Sequence, residues 1–236
     1  LILGAGVIGI TTAYELLKSG YEVSIIDRQP EAALETSFGN AGLIAPGHSY
    51  AWTTPKLPVN LFKSLFQKKR SFRFKFQWDP TMWYWGLQFI LQCTQKKMTN
   101  NTLRKYRLSS YSQNRFHKLL SEIKIDYNKN KKGLIYIFRT LDSFLEGKQK
   151  MAMLESVMNN LQVLNRDELI QLEPIIKDVK TKIYGGIYCP SDESGSCRDF
   201  TLELVRICEE KGAIFHYNTT IQKLEKRGNK VNKVIT

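Results

Sequence analysis

The sequence lacks any long apolar stretch: no run approaches the roughly 18 consecutive apolar residues that a membrane-spanning helix needs. It also lacks internal repeats and low-complexity tracts. Hydrophobic residues make up 42% and charged residues 24% of the chain, which predicts a globular fold and excludes a collagen-like fibre, a disordered tail and a small disulfide scaffold. A length of 236 residues predicts one large domain or two interleaved domains.

Cysteine is scarce and irregularly spaced. The four cysteines form no CxxC pair, so the sequence predicts neither a zinc ribbon nor a redox dithiol and favours a reducing, cytosolic compartment. The chain begins inside an apolar run, LILGAG, without a methionine or a basic leader, and its last residues, 230–236, have the pattern of a strand. We therefore expect no signal peptide, and we expect the chain to be a piece of a longer protein.

Acidic residues are almost missing from residues 36–121, where Asp79 is the only acid against fourteen lysines and arginines. This window accounts for the whole net charge of +13 and contains all four tryptophans. Basic and aromatic residues together suit a nucleic-acid backbone with stacked bases, or a membrane surface with anionic headgroups. They also suit a merely solvated basic face, and the window by itself leaves the three interpretations open.

The first 27 residues have the pattern of a compact βαβ unit. A short apolar strand leads into the turn GAGVIG, and apolar positions at helical spacing predict a helix over residues 7–19. Gly20 follows in the position where a left-handed backbone ends a helix. The segment YEVSIID then predicts an inner strand over residues 21–27.

The rest of the chain alternates between predicted helices and predicted strands. Residues 36–58 are rich in Gly, Pro, Ser and Thr and predict a loop. Apolar spacing predicts helices over 80–93, 103–123, 142–161 and 200–211, and strands over 134–138, 183–188, 213–217, 219–225 and 231–236, the last two as a hairpin. This order predicts an α/β nucleotide-binding domain that a second domain interrupts.

The glycine turn is suited to a dinucleotide. Gly4 allows the tight turn out of the strand, Gly6 lets a pyrophosphate approach the backbone, and Gly9 lets the helix pack closely on the sheet. The helix N-terminus binds the negative phosphates, and Asp27 at the end of the next strand is placed to bind both ribose hydroxyls. Arg28 suggests a 2′-phosphate instead, but Asp27 would repel one. The turn alone does not distinguish a flavin from a nicotinamide.

The next segment, LETSFGNAGLIAPG over residues 34–47, is small and polar. Ser37 and Asn40 offer hydrogen bonds, while Ala41 and Gly42 let the main chain pass close to a flat ring. A loop that lies along a long dinucleotide has this composition, and so does an ordinary turn.

In these segments the sequence resembles the FAD-dependent D-amino acid dehydrogenases (small subunit) of the D-amino acid oxidase superfamily. The similarity covers the opening to residue 47 and the segments LIYIFRT, LEPII, GGIYCPSDESGSCRDFT and EEKGAIFHYNTTIQKL. It implies a Rossmann-like FAD-binding domain of class α/β over residues 1–60 and 191–236. An α+β substrate domain over 61–190 interrupts it, and the fold is incomplete at the C-terminus.

The resemblance implies FAD as the cofactor and assigns it a set of contacts. The glycine turn would hold the pyrophosphate, the acid after the second strand the adenosine ribose, and the following loop would run towards the isoalloxazine. The backbone of a residue on a late strand would touch the adenine. These cofactor-binding residues are Gly4, Ala5, Gly6, Val7, Ile8, Gly9, Asp27, Arg28, Ser37, Asn40, Ala41, Gly42, Leu43 and Ile221.

The resemblance also implies an activity: oxidation of D-amino acids, D-alanine prominently, to 2-oxo acids and ammonia. Arg139 is a candidate to bind the substrate carboxylate, and it is equally compatible with a plain surface arginine. Members of the family carry Tyr where this chain has His48. The three histidines, His48, His117 and His216, show no metal-binding or triad spacing, and the sequence identifies no catalytic residue and no metal site.

The implied electron acceptor is a membrane quinone or another part of the respiratory chain. We therefore expect a cytoplasmic protein that docks peripherally on the anionic inner face of the plasma membrane through residues 56–97, and no nucleic-acid partner. The rival hypotheses are a glycine or amine oxidase relative that uses oxygen, a basic nucleotide-binding module without redox chemistry, and an inactive fragment.

Overall fold

The computed structural model describes residues 1–64, 78–158 and 160–236. Its helices are α1 (Val7–Lys18), α2 (Leu57–Ser64), α3 (Pro80–Leu91), α4 (Gln95–Glu122), α5 (Leu141–Ala152), α6 (Arg166–Leu172) and α7 (Cys197–Glu210), with 3-10 turns at Pro46–His48 and Pro174–Lys182. Its strands are β1 (Ile2–Leu3), β2 (Ser24–Ile26), β3 (Leu43–Ile44), β4 (Leu134–Phe138), β5 (Gln162–Asn165), β6 (Gly185–Cys189), β7 (Glu193–Ser194), β8 (Ile214–His216), β9 (Lys223–Arg227) and β10 (Lys230–Ile235).

The chain divides into two compact units. The first consists of Leu1–Ile44, Lys118–Asn130 and Glu193–Thr236, and the second of Ala45–His117 and Lys131–Asp192. The second unit is thus inserted into the first along the sequence. The boundaries that the sequence suggested, at residues 60/61 and 190/191, stay predictions.

The first unit contains a parallel sheet in the order β1-β2-β8. Helix α1 connects the first two strands and packs against α7, which precedes β8. Apolar residues spaced along both helices and the central strand fill this core: Ile10, Ala13, Ile25, Leu204 and Cys208 are all buried. Gly20, with φ of +83°, ends α1. The predicted Rossmann-like βαβ start is therefore confirmed.

Two smaller pairs of strands complete the first unit. Strand β3 pairs antiparallel with β7, and β9 pairs antiparallel with β10, as the sequence predicted for a hairpin in this region. The hairpin strand begins later than predicted, however. Because β9 starts at Lys223, Ile221 lies in the connection after β8 and not on a strand, which corrects the predicted strand over residues 219–225.

The second unit contains an antiparallel sheet in the order β4-β6-β5. Buried Leu154, Met158 and Cys189 form one apolar cluster, and Leu169, Ile176 and Ile183 form another. Helix α6 is held at its start by a capping box in which Asn165 and Glu168 exchange side-chain and backbone hydrogen bonds. The long helix α4 contributes residues to both units.

The helix predicted over residues 142–161 is wrong in its second half. Helix α5 ends at Ala152, and the chain continues through turns into β5, which the sequence did not predict. The apolar residues Leu154 and Met158 have helical spacing, but they are buried beside Cys189 of the sheet. The two residues belong to a separate turn, in which the amide of Met158 donates to the carbonyl of Leu154, so their spacing reflects this turn and the tertiary cluster and not a continued helix.

None of the helices within the described residues combines the length and apolarity needed to span a membrane. The part of the basic window at residues 65–77 lies outside the described residues. All four cysteines are free thiols.

Candidate functional site

The glycine turn after β1 requires glycine at two of its three positions. Gly4 has φ of +101°, in the left-handed region that side chains disfavour. A Cβ atom on Gly9 would lie 1.9 Å from the carbonyl oxygen of Gly4, which is far inside van der Waals contact. The first turn of α1 therefore packs directly on the backbone that leaves β1, as the motif predicts.

Asp27, directly after β2, is joined to this turn. Its Oδ2 accepts a hydrogen bond of 2.6 Å from the amide of Ala5, and its Oδ1 accepts one of 2.8 Å from the amide of Gln29. The carbonyl of Ala5 in turn accepts from the amide of Ala33, a buried residue with φ of +60°. The sequence did not predict the role of Ala33, because alanine gives no signal for a left-handed backbone.

Ser37 closes the other side of the turn. It is buried, and its Oγ accepts a hydrogen bond of 3.0 Å from the amide of Val7. A Cβ atom on Gly6 would lie 3.2 Å from this oxygen. The next amides of the helix, those of Ile8 and Gly9, donate to no acceptor within the described residues. Free amides at the positive end of a helix are what an anionic group such as a phosphate binds.

Arg28 has a partner on the protein. Its guanidinium donates to Oε1 of Glu35 from Nε at 2.9 Å and from Nη2 at 2.6 Å. The side chain of Gln29 donates to the same oxygen. These hydrogen bonds hold the pKa of Glu35 below its usual range, and the bond from Gln29 has a larger effect than those from Arg28. Arg28 is therefore engaged with an acid beside the turn.

The loop over residues 40–43 approaches a second part of the chain. Asn40 accepts a hydrogen bond of 2.7 Å from the amide of Gly42, which has φ of +61°. A Cβ atom on Gly42 would lie 2.0 Å from the carbonyl oxygen of Gly195. Gly42 thus allows a close backbone approach to Gly195, which the sequence did not identify. Ala41 and Leu43, on either side, are exposed.

The two remaining predicted residues lie away from the turn in the sequence. Ile221 is half-buried in the first unit, five residues after His216 and two after Thr219. These two residues are hydrogen-bonded to Asp27: its amide donates to the carbonyl of His216, and its carbonyl accepts from the amide of Thr219. Arg139 belongs to the second unit, where it directly follows β4 and is exposed. 

The second unit contains a polar cluster that the sequence did not predict. Asp192, after β6, is fully buried. Its Oδ1 accepts a hydrogen bond of 2.9 Å from the amide of Gly47, and its Oδ2 accepts one of 2.8 Å from the hydroxyl of Tyr136. Burial, reinforced by Asp192, raises the pKa of Tyr136, so the phenol stays protonated and donates. The sequence shows the acidic residues of the SDES segment, but no neighbouring residue indicates that one of them contacts Gly47.

His48 lies on this cluster. Its imidazole stacks on the ring of Tyr136, with 4.3 Å between centroids and 10° between planes, and meets the edge of Tyr50 at 5.4 Å. The residue is nevertheless exposed. Burial against the aromatic rings lowers the pKa of His48, an effect that Asp192 opposes and that Lys150 and Lys105 reinforce.

Helix α3 of the second unit exposes aromatic and aliphatic side chains along its whole length, and none of its residues is buried. The exposed large residues of the helix are Trp83, Tyr84, Trp85, Leu87, Ile90 and Leu91, and Trp78 precedes them.

The family model described as DAO, FAD dependent oxidoreductase, matches this chain over residues 1–236. The D-amino acid dehydrogenase of Agrobacterium fabrum (strain C58 / ATCC 33970) is 39% identical over 235 residues, which cover 100% of this chain and 56% of the relative. The D-amino acid dehydrogenase of Bradyrhizobium diazoefficiens is 37% identical over 236 residues, again 100% of this chain and 56% of the relative. The chain thus spans a little over half the length of these curated relatives.

Solved structures of similar fold include glycine oxidase from Geobacillus kaustophilus, with a TM-score of 0.61 and 19% identity, covering 95% of this chain and 47% of that one. L-Amino acid deaminase from Proteus myxofaciens has a TM-score of 0.63 and 15% identity, covering 99% of this chain and 41% of that one. At such identities the similarity establishes the fold alone, and it confirms the predicted α/β fold of an FAD-binding oxidoreductase.

Proposed function

Because this chain belongs to the DAO family of FAD-dependent oxidoreductases, we propose that the complete protein that contains it is a D-amino acid dehydrogenase. It would oxidise a D-amino acid such as D-alanine to the 2-oxo acid and ammonia and pass the electrons to an acceptor other than oxygen. The observation that carries the proposal is the 39% identity, over the whole chain, to a D-amino acid dehydrogenase. The glycine turn joined to Asp27 supports it independently.

The residues of the turn fit FAD. Gly6 leaves room above a helix N-terminus at which the amides of Ile8 and Gly9 are available, and this would hold the pyrophosphate. The carboxylate of Asp27 accepts two backbone hydrogen bonds, so it is fixed in place where it could accept further hydrogen bonds from ribose hydroxyls. Because Arg28 is engaged with Glu35, it supports no role for a 2′-phosphate and hence no NADP.

The loop after the turn would follow the cofactor. Ser37 keeps its hydroxyl hydrogen available while its oxygen accepts from Val7, so it would donate to a phosphate oxygen. Asn40, Ala41, Gly42 and Leu43 would continue towards the isoalloxazine. The backbone of Ile221 would contact the adenine.

When bound, FAD supplies the acceptor for the hydride that leaves the substrate Cα. The chain's own residues then have to bind and orient the amino acid and exclude water. An arginine fork matches a carboxylate with two parallel hydrogen bonds. We include Arg139 in the proposal as the group that would bind the substrate carboxylate, because it is exposed at the end of β4 and its guanidinium has no ion-pair partner among the described residues.

The experiment is to purify the complete protein and record its absorbance spectrum and its reduction of an artificial dye with D-alanine and L-alanine. Flavin absorbance with reduction by D-alanine alone is expected. Gly6→Val should remove the flavin absorbance, because its side chain would fill the space of the pyrophosphate and meet Ser37. Peroxide formation in place of dye reduction would favour an oxygen-dependent glycine or amine oxidase, and a colourless protein would favour a nucleotide-binding module or an inactive fragment.

We extend the proposal to the electron acceptor and the location: a respiratory-chain quinone, reached by peripheral docking on the anionic inner face of the plasma membrane through residues 56–97. The described part of this segment supports docking because Trp83 and Trp85 of α3 are 42% and 63% exposed and the exposed Lys96 and Lys97 follow. Aromatic rings suit the membrane interface, and each lysine near an anionic surface contributes roughly 1 kcal/mol.

Sedimentation with anionic phospholipid vesicles tests the docking. The complete protein should bind at low salt and be released at high salt, because screening removes the electrostatic attraction. Changing Trp83 and Trp85 together to Ser should weaken binding. The matched control is Trp52→Ser, since Trp52 is 83% exposed but lies outside the docking segment. Equal loss in the control, or no binding at low salt, would contradict the docking.

A further inference from the structure

We propose that Glu35 is a positioning residue of the cofactor site: it holds Arg28 away from Asp27, so that the carboxylate of Asp27 stays available to the ribose of FAD. The inference rests on the proposed function and deepens it, because it assigns a role to a residue outside the predicted set of cofactor contacts. All three residues belong to the first compact unit.

The segment that follows β2 contains three acids and one base. Asp27, Glu31 and Glu35 are the acids of residues 27–35, and Arg28 is the base. Glu31 pairs with Arg198 at 2.9 Å, and Glu35 pairs with Arg28 at 2.6 Å. Asp27 forms no ion pair within the described residues. The acid that would bind the ribose is thus the one that no described base pairs with.

The backbone on both sides of Glu35 is anchored to the glycine turn. Two residues before it, the amide of Ala33 donates to the carbonyl of Ala5. Two residues after it, Oγ of Ser37 accepts from the amide of Val7. Glu35 therefore extends from a fixed place beside the turn, although its side chain is 47% exposed.

One oxygen of Glu35 accepts three hydrogen bonds. Oε1 accepts from Nε2 of Gln29 at 2.6 Å, and from Nε and Nη2 of Arg28 at 2.9 Å and 2.6 Å. These bonds, that of Gln29 most of all, hold the pKa of Glu35 below its usual range, so the carboxylate is charged near neutral pH. Two N–H groups of the Arg28 guanidinium are thus directed at Glu35.

Gln29 connects the two carboxylates. Its backbone amide donates to Oδ1 of Asp27 at 2.8 Å, and its side chain donates to Glu35. Arg28 lies between Asp27 and Gln29 in the chain, with its Cα atom about 3.8 Å from that of Asp27. Because an arginine side chain is long and has many rotamers, Arg28 at this place can turn towards either acid.

Without Glu35, Arg28 would compete with the ribose for Asp27. A carboxylate has about four sites that accept hydrogen bonds, and the amides of Ala5 and Gln29 occupy two of those on Asp27. The arginine fork matches a carboxylate with two parallel hydrogen bonds, which would take the other two. No site would then remain on Asp27 for the ribose hydroxyls.

The test measures the FAD affinity of the complete apoprotein by titration with FAD, followed by flavin fluorescence. Glu35→Ala should weaken FAD binding by about 3- to 10-fold, the effect of a new ion pair at an exposed carboxylate. Arg28→Ala alone should keep the affinity within about twofold of the natural protein.

The decisive variant combines both substitutions. Arg28→Ala together with Glu35→Ala should regain the affinity of the natural protein, because no guanidinium is left to occupy Asp27. A role of Glu35 that is limited to holding the side chain of Gln29 predicts no such recovery, since Gln29 lacks its partner in both variants.

Glu31→Ala is the matched control, because it also removes an exposed acid of the segment that pairs with an arginine, and it should keep the affinity. Glu35→Gln retains an oxygen that accepts from Arg28 but loses the charge, so its affinity should lie between those of Glu35→Ala and the natural protein. The unfolding midpoint of Glu35→Ala should stay within about 2 °C of the natural value, because an exposed ion pair contributes little to stability.

Three results would overturn the role of Glu35 and leave the proposed function intact. They are an unchanged FAD affinity in Glu35→Ala, a loss that adding Arg28→Ala does not reverse, and a loss in Arg28→Ala alone, which would mean that Arg28 contacts the cofactor itself. A natural protein that binds no FAD would overturn both proposals. One that binds FAD but oxidises no D-amino acid would overturn the proposed function, and the affinities would still decide the role of Glu35.

Discussion

The amide of Ala5 donates a hydrogen bond of 2.6 Å to Oδ2 of Asp27, 22 residues later in the chain. The bond joins the turn that leaves β1 to the end of β2, and these strands are parallel neighbours in the sheet. The carboxylate is consequently fixed at the edge of the turn, and no lysine or arginine within the described residues forms an ion pair with it. This is the arrangement that a ribose beside a bound pyrophosphate requires.

The first prediction concerns this carboxylate. Asp27→Ala should weaken FAD binding by about 10- to 100-fold, because hydrogen bonds to a charged acceptor contribute about 1.5–3 kcal/mol. Titration of the apoprotein with FAD, followed by flavin fluorescence, measures the affinity. The control Glu31→Ala removes an acid that pairs with Arg198 at 2.9 Å and should leave the affinity unchanged. Equal affinities for Asp27→Ala and the natural protein would contradict the assignment of the ribose site.

The second prediction concerns the close contact in the glycine turn. Gly9→Ala places a methyl group 1.9 Å from the carbonyl oxygen of Gly4, so the turn must shift, at a cost of about 1–3 kcal/mol in the free energy of unfolding. Flavin absorbance should fall with it. Thermal unfolding measures the first effect and the absorbance spectrum the second.

Gly86→Ala is the matched control for that substitution. A Cβ atom on Gly86 meets nothing within 4 Å, and the residue lies inside α3. The same change should here stabilise the protein by about 0.5–1 kcal/mol, because alanine favours a helix over glycine. If both variants unfold at the same temperature, the close contact at Gly9 does not affect the stability of the protein.

The third prediction compares two glycines of one loop. Gly42→Ala would place a methyl group 2.0 Å from the carbonyl oxygen of Gly195 at a φ of +61°, so it should disrupt the pairing of β3 with β7 and lower stability by about 2–4 kcal/mol. Gly39→Ala meets nothing within 4 Å and should be close to neutral. Chemical denaturation of both variants measures the difference, and the loop geometry is wrong if their midpoints coincide.

The fourth prediction concerns the buried Asp192. Tyr136→Phe removes the hydroxyl that donates to its Oδ2 and keeps the ring, so one oxygen of a fully buried carboxylate loses its partner. The expected loss is about 1–3 kcal/mol of unfolding free energy. Tyr184→Phe, at a tyrosine that is 43% exposed, should change stability by less than about 0.5 kcal/mol. Urea denaturation distinguishes the two, and similar midpoints would argue against the hydrogen bond.

The first unit shows how far sequence reasoning reached. Gly4, Gly9 and Asp27 were identified because the βαβ unit is completed within 27 residues, and its backbone requirements act on neighbours in the chain. A turn of this geometry requires glycine at fixed positions, so the glycine spacing can be recognised in the sequence. The same locality made the hairpin of β9 and β10 predictable.

The tertiary structure decided the contacts between residues that are distant in the chain. Asp192 and Gly47 are 145 residues apart, and nothing near either one indicates the other. Nothing near Gly42 or Gly195 indicates their close approach either. Leu154 has the spacing of a helix residue, and nothing in the sequence indicated that it packs beside Cys189 of the sheet. Hydrogen bonds and close packing at such separations depend on how the whole chain folds. The sequence therefore determined the glycine turn and the acid that follows the second strand, and only the folded chain decided that Asp192 holds the backbone before His48.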